Sequence, residues 1–211
     1  LSSLDSENIV PNSDFLINTD GTPTVPDNFT AYNSTINSYN SGKFNFTATA
    51  QFGQISTYQN TSTDYLGQTL YLFAVVKTDH PEVRLTYGQG TTVQHPADGN
   101  YHLLSMVNTI TTSGRKLQVA DYRASAWTPV EVDKMGAYNI NQLKLAGVKN
   151  DNGVLFNDLT EEQIRTQLDT WVQNNKKIIG SIYNISVSNS NLYNALVELA
   201  NISNRTFKID Y

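Results

Sequence analysis

The chain has 211 residues, a formal charge of -5 and 16% charged residues. It is long enough to bury a substantial core and too poor in cations to grip a phosphate backbone, where binding depends on released counterions. Cysteine is absent, which excludes a disulfide framework and any thiolate metal or redox centre.

Polarity comes instead from Asn, Thr, Ser, Gln and Tyr, neutral groups that donate and accept hydrogen bonds. That composition suits a surface facing neutral ligands such as sugars, and suits equally any β-protein with a wet face. The opening residues, LSSLDSENIVPN, carry no basic n-region and no apolar h-region, so they read as no signal peptide. Asn8 to Ile17 is a short apolar segment broken by Pro11, which places it at a sheet edge or a bulge. Asp20 to Asn28 holds two prolines and a glycine and reads as loop. In Lys43 to Phe52 the apolar Phe44, Phe46, Ala48, Ala50 and Phe52 alternate with Asn45, Thr47, Thr49 and Gln51, the period-two pattern of a strand. Rings that each bury ~150 Å² or more make this strand a core wall. Ile55 to Gln59 continues the sheet after Gly53.

The longest apolar run, Leu70 to Val76, is too short to span a membrane and is bounded by turn residues, so it predicts a buried strand. After the Asp79-His80-Pro81 turn the chain returns in Val83 to Tyr87, with Val83, Leu85 and Tyr87 on one face and Arg84 and Thr86 on the other. Tyr101 to Thr109, Lys116 to Arg123, Val130 to Met135 and Ala137 to Leu145 come next as further strands. In the second of these, Gln118, Ala120 and Tyr122 face away from Leu117 and Val119. Short strands at intervals of about eight to twelve residues predict a mainly β fold, a jelly-roll β-sandwich over residues 1–150.

Beyond Gly153 the pattern changes. Thr160-Glu161-Glu162-Gln163 is a capping box. Ile164, Leu168, Trp171 and Val172 succeed it at helical spacing and predict an amphipathic helix over 161–174, with Trp171 on its packing stripe. Lys177 to Val187 predicts a strand and Leu192 to Tyr211 a mixed segment. Residues 151–211 therefore read as a C-terminal helix with short strands that attaches or braces the sandwich.

Catalytic signatures fail one by one: there is no H-E-x-x-H, no G-x-S-x-G, no P-loop and no G-x-G-x-x-G. His80, His95 and His102 fit no common metal spacing and read as exposed turn residues. A glycosidase needs two carboxylates across a cleft; Asp79 with Glu82, or Asp121 with Asp133, are pairs of a kind that any acidic chain supplies. Sequons such as Asn28-Phe29-Thr30 and Asn45-Phe46-Thr47 arise from an Asn- and Thr-rich composition. Binding is better supported than catalysis. Aromatic rings cover the C–H patches of sugars while amides and hydroxyls bond their edges. Tyr58, Tyr87, Tyr122 and Trp127, with His102 and Gln118 as polar neighbours, are the candidate sugar-binding residues, because they lie on or beside strands whose opposite face is core. Rim packing explains each of them singly as well.

The order of pieces resembles a known family. NIVPNSDF at Asn8 to Phe15 resembles the opening of the carbohydrate-binding modules grouped around families four, nine and twenty-two. LGQTLYLFAVVKTD resembles their central strand and WTPVEVDKM their closing strand, over residues 8–140. The resemblance implies a non-catalytic saccharide-binding module. It also implies a structural calcium ion tying the first strand to the last: Asp133 is the closing carboxylate, Leu16 stands where the family often has Glu, and Asp14 or Asp20 would have to substitute. The stretch C-terminal to the sandwich is similar to tail and baseplate proteins of phages infecting Gram-positive bacteria, where a Y-N-L-T-like strand leads to a short helix beginning [PS]-T-x-E-[EQ]. Tyr138-Asn139-Ile140-Asn141 and Leu159-Thr160-Glu161-Glu162-Gln163 occupy those places, and KNDNGVLFND replaces the family's loop.

The resemblance thus implies a virion component that adheres to host cell-wall saccharide. Its partners would be that saccharide and other tail or baseplate proteins, with no nucleic acid and no membrane insertion. The rival expectations are a virion assembly domain that binds no sugar, and the ancillary binding module of a bacterial glycoside hydrolase.

Overall fold

The computed structural model describes residues 9–10, 25–40, 42–57, 65–87, 90–112 and 114–182. Among the described residues ten strands are followed by two helices: β1 (Phe29–Tyr32), β2 (Ser34–Asn40), β3 (Lys43–Ala48), β4 (Gly53–Thr57), β5 (Thr69–Lys77), β6 (Val83–Tyr87), β7 (Thr92–Gln94), β8 (Tyr101–Thr109), β9 (Leu117–Asp121), β10 (Val130–Asn139), α1 (Ile140–Leu145) and α2 (Glu161–Ile182). They form two five-stranded sheets, one in the order β2-β3-β10-β5-β8 and the other β1-β4-β9-β6-β7. Every strand pair is antiparallel. The predicted β-sandwich is therefore the fold. We call the β5-containing sheet the helix-side sheet and the β9-containing sheet the open sheet.

Alternation builds the space between the sheets. Phe44, Phe46, Leu70, Leu72, Val76 and Leu104 from the helix-side sheet meet Ile55, Val83, Leu85, Leu117 and Val119 from the open sheet in one core cluster. The other face of the helix-side sheet is covered as well. Tyr71, Phe73, Val75 and Tyr138 pack against Leu143, Phe156, Ile164, Leu168 and Val172 in a second cluster. This explains the unbroken apolar run. β5 is buried on both faces, every residue from Thr69 to Val76 being enclosed, which a half-wet strand would not need.

Helix α2 starts where the capping box predicts: the Thr160 N–H donates to Gln163 Oε1 at 2.9 Å, and the Gln163 N–H to Thr160 Oγ1 at 3.2 Å. Ile164, Leu168 and Val172 are buried, and each contributes about 1.5–3 kcal/mol on burial. Trp171 packs edge-on against Tyr138, ring centroids 5.7 Å apart.

Four expectations are corrected. The strand from Lys43 ends at Ala48, and the chain crosses to the open sheet before β4. Phe52 sits on that crossing with φ 63°, and its side chain is exposed instead of lining the core. Gly53 makes the crossing tight, since a Cβ there would lie 2.4 Å from both Ala48 Cβ and the Asn33 carbonyl oxygen. The two strands expected over 130–145 are a single strand, β10, with a register shift between Val132 and Lys134. Helix α1 comes directly after it because the Asn139 side chain accepts from the Gln142 N–H at 3.2 Å and caps it. Residues 177–182, expected as strand, continue α2; the remainder of that expected strand, and Leu192 to Tyr211, lie outside the described residues. Of Asn8 to Ile17 only Ile9 and Val10 are described. The Ile9 N–H donates to the Ala137 carbonyl at 2.9 Å, and Val10 is buried in the main core.

Candidate functional site

The outward face of the open sheet carries neutral hydrogen-bonding side chains in rows, because paired residues of adjacent strands share a face. Register places Thr30, Ser56, Gln118, Thr86 and Thr92 in one row. Tyr32, Gln54, Ala120, Arg84 and Gln94 form the next. Beyond β4 and β9 the same parity brings Phe52 beside Tyr122, ring centroids 5.2 Å apart and planes at 87°. The Tyr122 N–H donates to the Glu82 carbonyl at 3.0 Å, which sets Glu82 at the end of this third row. Five strands at a spacing of about 4.8 Å make the face about 19 Å across.

Exposure differs along these rows. Tyr32 is 60% exposed and Phe52 47% exposed. Gln54, Gln118, Arg84 and Tyr122 are half-buried, while Ser56, Ala120 and Thr86, the short side chains of the central strands, are buried. Thr30 and Ser56 hydroxyls bond each other at 2.8 Å. The two charges on the face cancel: Arg84 Nη2 donates to Glu82 Oε2 at 2.7 Å. The Arg84 guanidinium lies 4.6 Å from the centroid of the Tyr122 ring, a cation–π contact that fixes both side chains. Rings at one end and uncharged donors and acceptors over the rest match the chemistry of a neutral polyol.

Behind Tyr122 a polar knot holds the loop before β10. Asp121 is 0% exposed and accepts from Arg123 Nε at 2.9 Å as well as from Nη2. Arg123 Nη1 also donates to the Ala126 carbonyl and to His80 Nε2. Accepting from Arg123 keeps His80 neutral; burial first, and then the Arg123 charge, pushes its pKa below the ordinary value. The Trp127 indole N–H donates to the Arg123 carbonyl at 3.0 Å.

Of the predicted sugar-binding residues, Tyr122 and Gln118 are brought together on the outward face of the open sheet. Trp127 lies beside Arg123, half-buried, with its indole N–H committed to that loop. Tyr87 is a correction: it shares the inward parity of Val83 and Leu85 and sits in the main core. His102 is on β8, in the other sheet, bonded to Asp98 at 2.9 Å and packed edge-on against His95. Tyr58 lies outside the described residues. Phe52, Tyr32, Gln54 and Arg84 escaped the sequence reading. Arg84 and Gln54 are reached by parity once the strands are paired; Phe52 and Tyr32 depend on where the chain changes sheets.

Of the carboxylates expected to hold calcium, Asp14 and Asp20 lie outside the described residues, and Asp133 sits half-buried in β10 at the register shift. Among the described residues, His95, Asp98 and His102 have ligand atoms within 4.8 Å of one another. His95 is a correction to the exposed-turn reading, being buried at 1% exposure. Its Nδ1 accepts from the Ala97 N–H at 2.9 Å, so Nε2 carries the proton donated to the Val76 carbonyl at 3.0 Å. Both His95 nitrogens are thereby engaged and offer no lone pair to an ion, and the three side chains are joined by the Asp98–His102 bond and the ring contact of the two histidines. Burial lowers the His95 pKa, and the Asn100 N–H, with His102 second, holds the Asp98 carboxyl down at about 2. Of the carboxylates in the expected glycosidase pairs, Asp121 is enclosed and paired with Arg123, and Glu82 is paired with Arg84. No helix among the described residues is long and apolar enough to cross a membrane.

No family model matches the sequence, and no curated protein matches it. Similar solved structures include carbohydrate-binding modules of family 29. A point mutant of one such module has TM-score 0.39 and 12% identity, over 55% of this chain and 84% of that one. A family 29 module from Piromyces equi has TM-score 0.38 and 17% identity, over 54% and 80%. Likeness at this level says nothing about ligand or partner.

Proposed function

We propose that the chain is a non-catalytic saccharide-binding module whose site is the outward face of the open sheet. The observation that carries this is the third row: Phe52 holds an exposed ring at φ 63° beside Tyr122. A bulky residue in that region is strained by about 1–3 kcal/mol, and such strain gathers at functional positions. Gln54 stands in the row next to the rings, and Gln118, Thr30 and Thr92 in the row beyond it, neutral donors and acceptors for ring hydroxyls.

The biological setting we propose is the one implied by the sequence resemblance, a phage tail or accessory baseplate protein gripping host cell-wall polysaccharide beside other tail proteins. Several weak sites on one particle would then act together, since linked sites gain avidity without new contacts.

A glycan array and a cell-wall pull-down with the full chain test the reading. Phe52→Ala and Tyr122→Ala are expected to lose binding while keeping the thermal midpoint of the unmodified chain. Wild-type binding in both variants removes the proposed site. Family 29 structures include complexes with cellulohexaose and mannohexaose, and these hexasaccharides are convenient first probes.

A further inference from the structure

Arg84 stands out on the candidate face because most of its donors are unspent. A guanidinium offers five N–H groups in a rigid plane. Here Nη2 donates to Glu82 Oε2, while Nε is buried with no acceptor among the described residues. Nη1 makes no bond among them, and the Arg84 side chain is 27% exposed. A buried N–H without a partner costs about 1–3 kcal/mol and is out of reach of a ligand, so the donors open to an incoming acceptor are those of the outer guanidinium nitrogens: the Nη1 pair and the second N–H of Nη2. The group cannot swing away to find one, because the Tyr122 ring holds it from one side and Glu82 from its end.

The charge of that acceptor is set by Glu82. The Glu82 carboxylate lies 2.7 Å from Nη2, and the other residues of the three rows are uncharged. An arriving carboxylate or phosphate would meet a cation already neutralised and an anion beside it. A pair of neighbouring hydroxyls meets only free donors.

We propose that Arg84 is the specificity-determining residue of the face: its outer Nη N–H groups take adjacent hydroxyls of an uncharged sugar ring resting on the exposed Phe52 ring beside Tyr122, and Glu82 excludes acidic sugars. This rests on the saccharide-binding reading above. Lysine at the same position keeps the charge and loses the planar fork, so Arg84→Lys separates directional bonding from simple attraction. Glu82→Gln keeps the shape and removes the counter-charge.

The experiment uses the full chain, with wild type, Arg84→Lys and Glu82→Gln titrated by calorimetry against cellohexaose, mannohexaose and hexagalacturonate, after a screen on an array of neutral and acidic glycans. Wild type is expected to bind a neutral hexamer and not the uronate. Arg84→Lys should weaken neutral binding about tenfold or more, the equivalent of about 1.4 kcal/mol, with an unchanged thermal midpoint. Glu82→Gln should bring uronate binding up while leaving the fold intact. Neutral binding that survives Arg84→Lys unchanged overturns the role of Arg84 and leaves the binding module standing. A wild type that prefers hexagalacturonate overturns the charge assignment. A wild type that takes no glycan on the array overturns this inference together with the proposed function.

Discussion

The Tyr71 hydroxyl donates to Asp169 Oδ1 at 2.7 Å, joining the middle of β5 to α2 through the second core. Asp169 is held in turn by Arg165 Nη1 at 3.1 Å, and the same nitrogen donates to Ser105 Oγ on β8. Burial first, and then the Asp169 charge, raises the Tyr71 pKa well above its ordinary value. A raised folded-state pKa gives stability that is whole below the unfolded value of about 10 and lost as pH climbs past it. Tyr71→Phe should lower stability by about 1–2 kcal/mol at neutral pH. It should also flatten part of the alkaline decline in thermal midpoint, followed by circular dichroism. Equal alkaline slopes in both proteins would exclude the coupling.

Phe52 sets stability against binding. Glycine takes a positive φ without a steric penalty, so Phe52→Gly is expected to raise stability by about 0.5–1 kcal/mol even as saccharide binding is lost. Denaturant unfolding alongside a binding titration reads both. A glycine variant less stable than wild type would mean that the ring contributes more to the fold than its backbone costs.

Gly53 permits no side chain. A methyl group would meet Ala48 Cβ and the Asn33 carbonyl at 2.4 Å, so Gly53→Ala should cost about 1–3 kcal/mol through overpacking. Denaturant midpoints measure it directly.

The ion pair of Asp121 and Arg123 is one-sided in its burial, with side-chain exposures of 0% and 10%. Arg123→Ala leaves a carboxylate enclosed without its partner and should cost about 3–5 kcal/mol. Trp127 reports on the loop. In a Trp171→Phe background its emission should shift to longer wavelength in the arginine variant, as the loop loses the guanidinium that ties Ala126 and His80 together.

Acid should loosen the edge near β7. His95 has a lowered pKa, from burial first, so its contribution to stability is present above the unfolded value of about 6.5 and lost as pH falls below it. Protonating Nδ1 sets a second N–H against the Ala97 N–H that it now accepts. His95→Gln should be less stable at pH 8, by about 1–3 kcal/mol, and less sensitive to acid. Parallel melting curves at pH 5 and pH 8 for the two proteins would refute this.

Alternation made the sandwich legible. Phe44 and Phe46 in β3, Leu117 and Val119 in β9, and the capping box at Thr160 lie where their periodicities put them. The same alternation puts Tyr87 on the face of Val83 and Leu85, which is the core face. What periodicity could not carry was partnership. Phe52 continues the inward parity of β3 on paper, yet the chain changes sheets between Ala48 and Gly53, and that switch turns the ring outward. Likewise Arg84 and Gln54 became neighbours of Tyr122 only through pairing across β6, β9 and β4. The burial of β5 on both faces needed α2, which lies more than eighty residues further along.

That double burial has a mechanical corollary. Helix α2 packs on β5 through the second core and continues by way of α1 into β10, and β5 and β10 are both interior strands, so hydrogen bonds along two margins must break before either strand leaves the sheet. The helix thereby ties its own attachment to the two strands that have most neighbours to lose.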